Sequence, residues 1–256
     1  MPQITSHDPG MPCWVDVMVE TTEQREALMA FYGALHGWTY DVGGEEMGYY
    51  TIASKDGQAV MGLGQGPGAE GKLVTYFATD DIAATAAKVI ALGGTIFMGP
   101  MAVADVGQMA LAVDGVGAVH GLWQPGTFPG FGLVHEPGAP GWFDHTSTDP
   151  GAAGIYYRDL TGKSLTEPDA GMKVLQNGDE WFASVSEDQM PGRAAQWNPI
   201  YVADSLERIR DTVRAQGGTI VLEEMPVPGS AITVFAEPVM NTMVTVMRAG
   251  DHSHDE

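Results

Sequence analysis

The feature that most constrains this 256-residue chain is that it repeats itself. Trp14-Val15-Asp16-Val17-Met18 returns as Trp142-Phe143-Asp144-His145-Thr146, and the residues C-terminal to each copy return too. Phe31-Tyr32-Gly33-Ala34-Leu35-His36-Gly37-Trp38 is answered by Tyr156-Tyr157-Arg158-Asp159-Leu160-Thr161-Gly162-Lys163. The run from Phe77 to Ile96 is answered by the run from Tyr201 to Ile220, at a constant offset of 124. A register that survives helices, turns and strands marks a duplicated module.

Within one copy the pattern reads strand, helix, strands, then the same again. Alternation puts Trp14, Asp16 and Met18 on one strand face and Val15, Val17 and Val19 on the other. The second face is core; the first sets a carboxylate between an indole and a thioether, the pattern of a pocket wall. Thr21 with Gln24 fits a capping box ahead of a helix over 23–35, laying Leu28, Phe31 and Leu35 on the sheet before Gly37 ends it. Asp80-Asp81 open a second helix with Ile82, Ala86, Val89 and Ile90 as its apolar stripe. Lys55-Asp56-Gly57 predicts a tight turn between two strands. Each half thus holds two βαβββ units, each too small to bury its sheet alone. The fold class is α+β: tandem modules, four βαβββ units forming two cupped mixed sheets.

The expected boundaries are a flexible lead-in over 1–10, a first module over 11–124, a Pro/Gly linker over 125–140, a second module over 141–249 and a disordered tail over 250–256. Phe128, Phe131 and Leu133 in the linker imply that it packs against a module rather than running free. A G-x-G-x-x-G run at 66–71 precedes another strand rather than a helix, so it reads as a flexible connection and not as a dinucleotide fingerprint.

The 33 acidic and 12 basic residues give a formal charge of -21. Such a surface repels phosphate backbones and anionic headgroups, which argues against nucleic acid or membrane as partner. Cys13 is the only cysteine, so no intrachain disulfide is possible. With neither a leader-like segment nor a long apolar run, the expectation is a cytoplasmic protein, a monomer or a homodimer. H-E-x-x-H, G-x-S-x-G and C-x-x-C are all absent.

Pro12-Cys13-Trp14-Val15-Asp16, the Phe31–Trp38 run, Ala91-Leu92-Gly93-Gly94 and Asp114-Gly115-Val116-Gly117-Ala118-Val119-His120-Gly121-Leu122-Trp123-Gln124 together resemble the vicinal oxygen chelate superfamily, which holds glyoxalases, bleomycin-resistance proteins and extradiol dioxygenases. More narrowly, the chain resembles its two-module actinobacterial glyoxalase-like members. The resemblance covers nearly the whole chain and implies a deep cup in each paired sheet. In the enzymes of the family a divalent metal sits there, held by His or Gln from first strands and Glu from last strands. Those positions fall here at Asp16, at Thr75 or Phe77, near Gly121, and near Val244 or Thr245, so the usual ligand set is missing. Asp16, His120, Asp144 and His145 have suitable donor chemistry. Alternation, however, turns His120 from the Glu position and His145 from Asp144. No cofactor is expected, a divalent metal being the minor alternative. His7, His36, His135, His252 and His254 are expected at the surface.

The residues expected to contact a ligand are Trp14, Asp16, Met18, Tyr50, Met61, Met109, Trp123, Trp142, Asp144 and Trp181, with Trp197 a further aromatic. The expected function is binding of a small apolar or aromatic organic molecule without a catalytic metal, by sequestration or self-resistance of the antibiotic-resistance kind. The alternative is a metal-independent enzyme of secondary metabolism, an isomerase, lyase or hydroxylase-like protein, with Asp16 or Asp144 paired to a tyrosine as acid and base. A metal-dependent lactoylglutathione lyase or dioxygenase is the third reading.

Overall fold

The structure, a computed structural model, describes residues 4–67, 71–169, 172–188 and 192–250. Residues 68–70 of the Gly-rich run and nearly all of the tail, with His252 and His254, lie outside the described residues.

The local signals act as their chemistry dictates. Thr21 caps α1 (Thr22–His36): its hydroxyl accepts from the Gln24 amide, the Gln24 side chain accepts from the Thr21 N–H, and Gly37 closes the helix in the left-handed region. Asp81 caps α2 (Ile82–Ala91), Asp149 caps α3 (Pro150–Thr161) and Ser205 caps α4 (Leu206–Ala215), each through a side-chain oxygen on a first-turn amide. The stripe of α2 is narrower than expected, because Ile90 points outward at 62% exposure.

The first module contributes β1 (Pro12–Val19), β2 (Thr39–Val42), β3 (Thr51–Lys55), β4 (Gln58–Gln65), β5 (Leu73–Ala78), β6 (Thr95–Val103), β7 (Gly107–Val113) and β8 (Val119–Pro125). They form one sheet in the order β2-β3-β4-β1-β5-β8-β7-β6. The second contributes β9 (Pro140–Ser147), β10 (Ser164–Asp169), β11 (Met172–Asn177), β12 (Glu180–Glu187), β13 (Gln196–Ala203), β14 (Thr219–Val227), β15 (Ser230–Ala236) and β16 (Met243–Arg248), in the equivalent order β10-β11-β12-β9-β13-β16-β15-β14. Each βαβββ unit pairs its last strand parallel to its first, as β1 with β4 and β5 with β8. The two units of a module join antiparallel through β1–β5 or β9–β13. The architecture is α+β, with two modules.

Each sheet has a helix-side face and a cup face. Cys13, Val15, Val17 and Val19 take the helix side of β1 and are buried. The modules meet on these sides: Phe77 lies 5.6 Å from Tyr157 and 5.2 Å from Trp197, and Phe31 lies 5.9 Å from Phe235. A polar cluster is sealed into this interface. Asp114 Oδ2 accepts from Tyr157 (2.9 Å) and pairs with His145 Nε2 (3.0 Å), while Asp114 Oδ1 accepts from the Val116 and Ala118 amides. Burial pushes the Asp114 carboxyl up, but His145 and the Ala118 and Val116 amides together hold it below the usual range. His120, also fully buried, contacts Tyr156 at 3.2 Å.

Several expectations fail here. Met61 and Trp197 face the helix side and are core, not cup. His36 is buried, stacked on Trp38, and His7 is half-buried; His135 is exposed. The lead-in is pinned over residues 4–10 because the linker folds back and offers it carbonyls: Ile4 N–H donates to Gly132 O, and His7 Nε2 contacts Phe131 O at 3.2 Å. Gly10 N–H donates to Ala78 O.

Candidate ligand cups

In the first cup β1 presents Trp14, Asp16 and Met18, and pairing sets Gly62 on β4 and Val74 on β5 beside Asp16. The cup-facing residues of β5 are therefore Val74 and Tyr76, not Thr75 or Phe77, which are buried on the opposite side. Asp16 Oδ2 accepts from Tyr76 (3.0 Å) and Tyr50 (3.3 Å), and the Trp14 indole donates to the Tyr50 hydroxyl (2.8 Å). Asp16 Oδ1 is buried without a partner. Burial outweighs the two phenol donors and lifts the Asp16 carboxyl to about 7. Burial, with Asp16 alongside, raises both phenols, which stay neutral donors.

This cup is filled by its own side chains. A Cβ at Gly62 would lie 1.9 Å from the Tyr50 hydroxyl and one at Gly121 would lie 2.0 Å from the Tyr76 ring, so only glycine admits the two tyrosines. Met18 lies over Gly64. Trp123, paired with Met109 across β7–β8, donates to Phe128 O of the linker (3.0 Å), and Phe128 meets the Trp14 ring edge-on at 4.9 Å.

The second cup has the same plan with other chemistry. Trp142, Asp144 and Thr146 face it from β9, Ser184 and Ser186 from β12, and Asn198 from β13. Asp144 Oδ1 accepts from Ser184 (2.6 Å) and Ser186 (2.8 Å), and the Trp142 indole donates to Ser184 Oγ (2.9 Å). Asn198 donates to the Asp144 carbonyl and the Thr146 hydroxyl. Burial raises the Asp144 carboxyl, and the serine hydroxyls oppose it. The first floor is sealed, with Trp14, Asp16, Val74 and Tyr76 all buried, whereas Trp142, Asp144, Ser184 and Asn198 are only half-buried. Trp181 stands at the β11–β12 hairpin, 43% exposed.

The donors do not fit the metal that the fold family uses. Where a first-strand histidine and a last-strand glutamate would converge, the first cup holds Asp16, a neutral phenol and Gly121; the second holds Asp144, two serines, Asn198 and Thr245. Among the described residues no group of three or more His, Cys, Asp or Glu is placed to hold a metal. Ser184 and Ser186 escaped the sequence reading, although alternating serines two apart put both hydroxyls on one strand face.

The chain is 32% identical over 252 residues to a protein named glyoxylase CFP32 of Mycobacterium tuberculosis, spanning 93% of this chain and 95% of the relative. It is 30% identical over 249 residues to the anthracycline biosynthesis protein DnrV of Streptomyces peucetius, spanning 88% of each. Its fold is shared with 2,2',3-trihydroxybiphenyl 1,2-dioxygenase of Sphingomonas wittichii (TM-score 0.66, 15% identity, 95% of this chain and 92% of that one). It is shared equally with the Mn(II)-bound glyoxalase of Novosphingobium aromaticivorans (TM-score 0.66, 15% identity, 95% and 83%). No family model matches. The chain belongs to the vicinal oxygen chelate superfamily, among its two-module glyoxalase-like members. No helix among the described residues is long and apolar enough to cross a membrane.

Proposed function

We propose that the protein binds a small, flat, largely apolar organic molecule in its second cup, without a resident metal, and that Asp144 orients it. The observation that carries this reading is the contrast between the cups. Tyr50 and Tyr76 fill the first, while the second leaves Trp142, Asp144, Ser184 and Asn198 half-buried and within reach. An indole wall beside one carboxylate and a few hydroxyls suits an aromatic ligand carrying a hydroxyl or amine. The anthracycline biosynthesis relative supports aromatic polyketide-type metabolites as the first class to try.

Tryptophan fluorescence titrated with such metabolites, with product analysis of each hit, tests this. Saturable quenching, weakened in Asp144→Asn and Trp142→Phe with the ligand unchanged, is the expected outcome and describes a sequestering protein. Binding that survives both substitutions overturns it.

A second reading rests on Asp16. A buried carboxyl at about 7, with one oxygen unpartnered and two phenols on the other, is a group poised to exchange a proton near neutral pH. A ligand would reach it by displacing the half-buried Tyr50. Turnover of a bound metabolite that disappears in Asp16→Asn while binding persists would establish that reading.

A further inference from the structure

A cavity of about 520 Å³ opens outside both cups, where the C-terminal end of α1, the linker and α4 meet. That is room for one small organic molecule at a module boundary. Leu133, Val202 and Ile209 form its apolar side.

His36 is the most buried of the polar residues that line it. The imidazole is 7% exposed, stacked on Trp38 at 4.9 Å and close to Tyr201 at 5.5 Å, and its Nε2 is buried with no hydrogen-bond partner. The Gln58 Oε1 on the same wall is also without one. Aromatic packing explains why His36 is buried, but it leaves Nε2 unused, and a buried polar atom without a partner is destabilising.

Two cations line the same cavity, one from each module. Lys55 Nζ lies 3.7 Å from Asp56 and Arg208 lies 3.9 Å from Asp204, both beyond hydrogen-bond length and both to well-exposed carboxylates. Burial, then the charges of Lys55 and Arg208, push His36 down to about 3, so the ring is neutral and both cations act on it. Asp56, Asp204 and the half-buried Glu136 also line the cavity, so an entering anion must take the place of Asp56 and Asp204 at the two cations, which disfavours a dianion such as phosphate.

We propose that this groove binds a small organic monocarboxylate, its carboxylate held between Lys55 and Arg208 and accepting from His36 Nε2–H, its apolar body against Leu133, Val202 and Ile209. The site is separate from the cups and bridges the modules, since Lys55 ends β3 of the first and Arg208 rides on α4 of the second. Trp38, stacked on His36 and donating to Gly138 O on the cavity wall (2.6 Å), is its natural reporter.

The test titrates the whole protein with benzoate and, separately, with its neutral counterpart benzamide. Readouts are calorimetry and the indole N–H resonance of Trp38, assigned by its loss in Trp38→Phe. Benzoate is expected to shift that resonance saturably and benzamide to leave it still. The double variant Lys55→Gln/Arg208→Gln is expected to keep its thermal midpoint and bind benzoate at least about tenfold more weakly. Asp144→Asn is expected to bind it as the parent does, which separates this site from the second cup. No saturable shift, equal shifts with benzamide, or undiminished affinity in the double variant overturns the proposal.

Discussion

The Tyr76 ring stands where any side chain at Gly121 would have to be: a Cβ there would come within 2.0 Å of Cδ1 and 2.5 Å of Cγ. Cγ is not the far end of a flexible group, so the clash cannot be relieved by swinging the ring tip aside. The position to which the family resemblance assigns a metal-binding glutamate has thus been exchanged for a tyrosine that donates to Asp16.

Gly121→Ala is therefore expected to destabilise the protein by about 1–3 kcal/mol through overpacking. Combining it with Tyr76→Ala should restore part of that loss, because the ring that meets the new methyl is gone. Urea denaturation of the two single variants and the double variant gives the coupling; strict additivity would mean that the residues do not compete for this space.

Asp16 sets a pH dependence whose sign is fixed by its raised carboxyl. In the unfolded chain it ionises near 3.8 and in the folded protein near 7, so between these values the folded state holds a proton that the unfolded state has released. Its effect on stability is most favourable below 3.8, and stability is lost as pH rises toward 7, at about 1.4 kcal/mol per pH unit where the difference is a full proton. Asp16→Asn mimics the neutral carboxyl and removes this slope. The parent's unfolding free energy minus that of the variant should fall steadily across the window; a flat difference would show that Asp16 ionises normally in the fold.

How far the sequence foretold these sites depended on whether neighbouring residues carried the information. The capping box at Thr21 and Gln24, the stop at Gly37 and the repeated β1 and β9 patterns are local, and they fixed the frame that places Asp16 and Asp144. The face of β5 was ambiguous because Leu73-Val74-Thr75-Tyr76-Phe77-Ala78 has no apolar–polar alternation, and only its register against β1 shows that Val74 and Tyr76 face the cup. Met61 was misplaced although a signal existed: Gly62 and Gly64 alternate with Met61 and Leu63, and glycines two apart mark the crowded face. His36 continues the helical stripe four residues after Tyr32, a spacing that favours burial over the assumed surface position. The packing of the Phe128 and Phe131 rings on Trp14 depends on a linker that returns across more than a hundred residues of chain to β1, and no local pattern reports that.

The polar cluster between the modules makes their association sensitive to single atoms. Asp114 is sealed from solvent with two charge-assisted partners, His145 and Tyr157, contributed by the other module. Asp114→Ala strands an imidazole and a phenol in the core and is expected to cost about 3–5 kcal/mol. Tyr157→Phe removes one hydrogen bond to a charged group and should cost about 1.5–3 kcal/mol. Chemical denaturation orders the two; a Tyr157→Phe loss equal to that of Asp114→Ala would mean that packing, not the carboxylate, governs this contact.

Ser184 and Ser186 offer the most direct handle on the second cup. Both hydroxyls donate to Asp144 Oδ1 and favour its ionised form, opposing the burial that raises it. Ser184→Ala/Ser186→Ala removes the opposition, so the Asp144 carboxyl should titrate at higher pH than in the parent. Carboxyl carbon NMR, assigned through Asp144→Asn, reads that midpoint directly. If the ionised carboxyl orients the ligand, affinity in the parent weakens as pH falls through the Asp144 midpoint, and in the double variant the same weakening begins at higher pH. Fluorescence titrations across a pH series track both curves. A midpoint that moves with no matching displacement of the affinity curve would detach Asp144 from recognition and leave Trp142 as the anchoring group.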